Sequence, residues 1–106
     1  DARSFAQSRE CILVLKGHHT ICAFPDGEVD IISAGNPGMA KGGSGDVLSG
    51  MIGAFLGQLS LKKAVITACA VHALAGDFCA SMHGECSMLP SDIIEAIPEI
   101  TKSITR

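Results

Sequence analysis

The chain is 106 residues long, about one domain's worth, and 47% of its residues are hydrophobic, ample for a core. Its formal net charge is −3 and its longest basic stretch is Lys62-Lys63, which argues against a nucleic-acid surface. Uninterrupted apolar runs fall far short of a membrane span, and no signal-peptide pattern opens the chain.

The chain begins Asp1-Ala2-Arg3-Ser4 rather than with methionine, so a fragment or a processed chain is expected. Residues 11–15 (Cys-Ile-Leu-Val-Leu) are a short apolar run of the kind buried on both faces in a parallel sheet. Residues 20–24 and 28–32 flank Pro25-Asp26-Gly27, a strong turn signal, and read as a β-hairpin. Residues 33–45 form a glycine-rich loop. Eight of the twelve glycines fall between Gly35 and Gly57.

From Asp46 a helical stripe begins: Val47, Leu48, Met51, Ile52, Phe55 and Leu56. Gly50, Gly53 and Gly57 lie on another side of that helix. Glycine costs about 1 kcal/mol against alanine in a helix, so a close backbone or ligand is expected there. Residues 61–82 predict a second helix, apolar nearly all round. The chain breaks at His83-Gly84. Pro90 or Ser91 opens a last helix with Ile93, Ile94, Ile97 and Ile100, interrupted or restarted at Pro98.

Tryptophan and tyrosine are absent and phenylalanine occurs four times, which favours helices and buried strands over a sandwich. The five cysteines include no Cys-x-x-Cys pair. They read as buried reduced thiols, and the cytoplasm follows as the expected compartment. The apolar surfaces ask for more partner than this length supplies. The missing cover is either further sequence of the same domain or a second copy, and a homo-oligomer is one expectation.

The chemistry concentrates in Gly42-Gly43-Ser44-Gly45-Asp46. Glycines before a helix start let backbone N–H groups converge, and the helix N-terminus adds partial positive charge. Together they suit a phosphate. The bland alternatives are a packing loop, and for Asp46 a simple helix cap. Yet a carboxylate beside a bound phosphate repels it unless it has work to do. As a general base it takes a proton from a hydroxyl while amides hold the transferring phosphoryl group. No Gly-Lys-Ser/Thr ends the loop, so it is not a Walker A motif, and the Rossmann fingerprint is absent as well.

The longer run from Gly35 through Asn36-Pro37-Gly38-Met39-Ala40-Lys41 to Asp46-Val47-Leu48 resembles the signature of the ADP/ATP-dependent NAD(P)H-hydrate dehydratases of the ribokinase superfamily. The likeness extends to Leu15-Lys16-Gly17-His18-His19-Thr20, to His72 through Asp77, and to Met88 through Ile94. It implies an α/β chain: the C-terminal portion of a ribokinase-like three-layer sandwich, with a buried strand, a β-hairpin and then three helices. Residues 1–106 would be a fragment of one catalytic domain. It implies a lyase that uses ADP or ATP, with Mg²⁺, to return hydrated NADH or NADPH to the working cofactor. Asp46 would contact the substrate hydroxyl as catalytic base. Gly43, Ser44 and Gly45 would hold nucleotide phosphate, and Lys16, Gly17, His18, His19 and Thr20 would line the nucleotide site. The family's other substrate contacts lie in its N-terminal part, so this segment alone is expected to be inactive.

Two other readings use the same residues: a small-molecule kinase of the superfamily, or a nucleotide-binding module without catalysis. The Asn36-to-Ala40 run favours the dehydratase. On spacing alone, Lys16 is equally a solvated strand-end lysine, Thr20 the start of the hairpin, and the His18-His19 pair loop surface. Lys41 is either a phosphate contact or plain surface. His72 reads as a core histidine, and Asp77 either lines the nucleotide end of its helix or caps local backbone. His83 with Cys79 and Cys86 fits no standard metal spacing. Met39 and Met88 read as gap fillers.

Overall fold

A computed structural model describes residues 1–16, 19–36, 39, 44–85 and 87–104, without the side chains of residues 44 and 102–104. The chain divides into two compact units, Asp1–Ser33 and Ala34–Arg106.

The first unit opens with a helix that the apolar pattern did not predict, α1 (Ala2–Arg9). Its signal is local. Asp1 Oδ1 accepts the Ser4 N–H at 2.8 Å, an N-cap that satisfies one orphan donor of the first turn. Glu10 ends the helix in the left-handed region at φ 51°. Only Ala6 of this helix is buried, too little to produce an apolar stripe.

Strands β1 (Leu13–Leu15), β2 (Thr20–Ala23) and β3 (Val29–Ile32) form one sheet in that order. Both pairs are antiparallel, with Val14 opposite Cys22 and Cys22 opposite Asp30. The pair that β1 makes within the described residues is thus antiparallel. A parallel pairing needs a crossover of about a dozen residues or more, whereas only residues 16–19 separate β1 from β2. Within the described structure Leu15 is exposed and Leu13 and Val14 are half-buried.

The hairpin forms where expected. Gly27 N–H donates to Phe24 O at 3.0 Å, and Phe24 N–H donates to Glu28 O at 2.9 Å. Asp26 Oδ1 accepts from Glu28 N–H at 2.9 Å. Pro25 supplies the fixed φ and Gly27 sits at φ 92°, a conformation few other residues adopt cheaply.

The second unit consists of three helices: α2 (Ser44–Leu56), α3 (Leu61–His83) and α4 (Pro90–Ile104). Each pair is in contact. Helix α3 is the centre of the core and buries Ala64, Val65, Ala68, Cys69, Val71, His72, Ala73, Ala75, Gly76 and Cys79. Among the described residues it is the one helix long and apolar enough to cross a membrane, with a mean hydropathy of 1.5 over its best window. Half of that window is buried inside the protein, as in a core helix. His72 is 2% exposed and belongs to this core. Leu74, Phe78 and Met82 remain exposed, so α3 is not covered all round here.

Met88 and Ile93 are essentially fully buried with Met39, Ala75, Cys79 and Ala96 in a second cluster. Each large apolar side chain buried this way contributes about 1.5–3 kcal/mol. Helix α4 starts at Pro90, where a missing N–H costs nothing. The Asp92 carboxylate reaches back to the Leu89 N–H at 2.8 Å, half of a capping box. The helix continues through Pro98 rather than breaking. Just beyond it, Thr101 Oγ1 donates to the carbonyls of Ile97 and Pro98, each at 3.2 Å.

Cys79 Sγ donates to the Asp92 carbonyl at 2.9 Å. Burial pushes this thiol above its usual value, and the charges of Asp92 and Glu95 push the same way. The folded chain thus holds the thiol proton more tightly than the unfolded chain. That contribution is intact below the thiol's ordinary titration and is lost as pH rises from there through the raised value of the folded chain. Unfolding free energy of the complete protein should fall in the alkaline range, and Cys79→Ala should reduce the fall. Equal alkaline slopes in denaturant titrations of the two proteins would contradict this.

Candidate functional site

The glycine-rich segment begins directly after β3 and is tied to α3 before it reaches α2. Gly35 sits at φ 116°, where a side chain would strain the backbone. Its N–H donates to Asp77 Oδ2 at 2.9 Å. Asn36 Nδ2 donates to Asp77 Oδ1, also at 2.9 Å. One carboxylate therefore accepts from two successive residues, and both bonds are partly buried. The expectation that Asp77 caps local backbone is corrected: the groups it accepts from lie 42 and 41 residues earlier in the chain.

Three residues further on, Met39 N–H donates to Asn36 O at 3.1 Å and closes a single turn. The Met39 side chain is buried against α3 at Gly76. A Cβ on Gly76 would overlap the Cγ, Sδ and Cε of Met39. A Cβ on Gly35 would lie 3.6 Å from Met39 Sδ and 3.8 Å from Ala73 Cβ. Ala73, Gly76 and Asp77 of α3 thus receive Gly35, Asn36 and Met39. Met39 fills a gap as expected, and the gap exists because residue 76 has no side chain.

Helix α2 begins at Ser44, two residues earlier than its apolar stripe indicates. Ser44, Gly45 and Asp46 form its first turn, whose N–H groups have no partner within the helix. Gly45 and Asp46 are exposed. Asp46 has no hydrogen-bond partner among the described residues. It lies on the edge of a cleft of about 430 Å³ between α2 and α4, lined by Val47, Gly50, Met51, Ala54, Phe55, Ile94 and Ile97. An open cleft beside an exposed carboxylate leaves room for a hydroxyl to approach. The turn is also electrostatically suited to an anion, because the helix macrodipole places partial positive charge there.

The other predicted residues are placed as follows. Lys16 and His19 are exposed at the β1–β2 connection, and Thr20 opens β2 opposite Ile32. These three belong to the first unit, whereas Ser44, Gly45 and Asp46 belong to the second. Gly17, His18 and Gly43 lie outside the described residues, as do Lys41, Gly42 and Cys86. No other backbone or side chain comes within 4 Å of a Cβ built on Gly50 or Gly53. The close approach expected from those glycines is not made by the described residues. Among the described residues no group of three or more His, Cys, Asp or Glu side chains is able to hold a metal ion.

Residues 1–99 match the family model of the NAD(P)H-hydrate dehydratases. The chain is 40% identical over 105 residues to the bifunctional NAD(P)H-hydrate repair enzyme of Moorella thermoacetica; the match covers 97% of this chain and 20% of that protein. Among solved structures it superposes with a TM-score of 0.93 and 33% identity on the ADP/ATP-dependent NAD(P)H-hydrate dehydratase of Bacillus subtilis, co-crystallised with ATP/Mg²⁺; 96% of this chain covers 37% of that one. A ribokinase-like superfamily protein of Enterococcus faecalis superposes with a TM-score of 0.84 and 34% identity, over 95% of this chain and 35% of that one. The fold is therefore α/β and ribokinase-like. The chain spans between a fifth and about two fifths of the length of these proteins.

The seating of Met39 on Gly76 has a measurable consequence. Gly76→Val in the complete protein should lower stability by about 1–3 kcal/mol through overpacking. Met39→Ala added to it should restore part of that loss, because the smaller side chain vacates the contested space. Denaturant unfolding of the two single variants and the double variant checks the coupling; strictly additive effects would contradict the contact.

Proposed function

This chain belongs to the NAD(P)H-hydrate dehydratase family, and from that premise we propose that the complete protein uses ADP or ATP to dehydrate hydrated NADH or NADPH. The observation that carries this reading is Asp46, exposed in the first turn of α2 beside an open cleft and directly after Gly42-Gly43-Ser44-Gly45. We take Asp46 as the catalytic base. The amides of Gly43, Ser44 and Gly45 hold the nucleotide's terminal phosphates, and Lys16, Gly17, His18, His19 and Thr20 line the rest of the nucleotide site.

The chemistry follows from leaving-group quality. Hydroxide is a poor leaving group and phosphate a good one. Asp46 takes the proton of the substrate hydroxyl as its oxygen attacks the terminal phosphorus of the nucleotide. The bridging P–O bond breaks and the shortened nucleotide departs. Phosphate then leaves with the C–O electron pair, and the neighbouring ring carbon gives up a proton to restore the double bond. Preorganised amides stabilise charge that builds on the transferring phosphoryl group. Mg²⁺, brought with the nucleotide, would neutralise phosphate charge. No residue of this segment is assigned to it.

In this reading the segment is the C-terminal part of one catalytic domain and is inactive alone. The rest of the domain covers the open apolar faces of α3 and α4. Homo-oligomerisation is a second use for them, decided by size-exclusion of the complete protein. Buried thiols at Cys22, Cys69 and Cys79 fit a reducing, cytoplasmic setting.

Asp46→Asn in the complete protein should lower turnover by about 10²–10⁴-fold, the usual share of general base catalysis. Nucleotide affinity should change little. Recovery of reduced-cofactor absorbance and calorimetric titration with ADP and ATP measure the two effects. Wild-type protein that binds nucleotide but never restores the cofactor would favour a binding module instead.

A further inference from the structure

We infer that Asp77 is a positioning residue for the phosphate-binding turn, acting through Gly35 and Asn36 rather than on the ligand. The inference rests on the functional reading above.

Asp77 lies within the last third of α3, next to buried Gly76 and two residues before buried Cys79. Burying part of a carboxylate in a helical core costs free energy unless hydrogen bonds offset it. Here both of its oxygens are used, and both on the glycine segment. Helix packing alone would be served as well by an apolar side chain at this place. The two acceptors are instead matched to a backbone N–H and a side-chain amide on adjacent residues. They hold Gly35 at φ 116°, where the chain turns away from β3.

The hold is then repeated one turn later, with Met39 seated on Gly76. Anchors at 35, 36 and 39 thus rest on consecutive residues of one rigid helix. Only residues 40–43 join Met39 to Ser44, a tether that reaches about 18 Å at most even fully extended. The two ends are covalently joined over that short stretch. Displacing the anchored end shifts the approach to the first turn of α2, where the amides must converge within about 0.5 Å to bind well.

Charge is not the operative property of Asp77; the pattern of acceptors is. Asp77→Asn turns one acceptor into a donor that faces another donor. In the complete protein it should raise the KM for nucleotide about tenfold or more, since misplacement of order 1 Å costs up to about 10²-fold. The kcat at saturating nucleotide should stay within about threefold, with the thermal midpoint near that of wild type. Asn36→Ala, which leaves the Gly35 bond intact, should raise KM in the same direction by less. The exchanged pair Asn36→Asp with Asp77→Asn restores complementarity: Asn at 77 accepts from Gly35 N–H and donates to Asp at 36. Its KM should return to within about threefold of wild type.

Steady-state kinetics and ADP titration of these four proteins decide the matter. An Asp77→Asn protein with unchanged nucleotide KM overturns the inference while leaving the functional reading standing. If that variant does not fold, the exchanged pair decides: recovery of folding with near-wild-type KM supports positioning, and failure to recover overturns it. Wild-type protein that binds no nucleotide overturns the functional reading and this inference together.

Discussion

One carboxylate on α3 accepts two hydrogen bonds from residues 41 and 42 positions earlier in the chain. Both bonds are 2.9 Å long and join the start of the glycine segment to α3. The constraint it imposes is geometric. Gly35 must leave the sheet in a backbone conformation that disfavours any side chain, and Asn36 must present its amide to the helix. Met39 can then enter the space above Gly76. The apolar core and the functional loop of the second unit are therefore coupled through three adjoining positions of one helix.

This coupling changes what the Asn36-to-Ala40 motif means. Read as a signature, it discriminates a family. In the structure, Asn36 and Met39 are turned toward α3 and are structural anchors of the loop. The residues we propose for the ligand come later, in the first turn of α2, where Asp46 is exposed. Anchoring and chemistry are separated along the sequence by a few residues.

The second unit also explains how a helix with three glycines persists. Among the described residues nothing lies within 4 Å of a Cβ built on Gly50 or Gly53. The helix is held by its apolar residues, of which Leu48 and Met51 are buried. The same helix lends Asp46, Gly50 and Ala54 to the cleft facing α4. Buried Met51 belongs to both: it is packed in the core and lines the cleft.

Much of this was legible in the residues themselves. Pro25-Asp26-Gly27 determines its hairpin because the turn chemistry is local: a ring fixes one φ and a glycine takes the left-handed one. The apolar periods of α2, α3 and α4 are likewise local, as is the conjunction of glycines, helix start and aspartate at residues 42–46. Helix α1 was hidden because a polar helix with one buried alanine has no stripe, and only Asp1 marks it. The antiparallel pairing of β1 could be reasoned from its short connection to β2, but an apolar run by itself does not state its partner. What only tertiary structure decided is the role of Asp77, Gly76 and Met39. Their meaning depends on contacts across some forty residues, and no periodicity or spacing encodes which distant donor a carboxylate will meet.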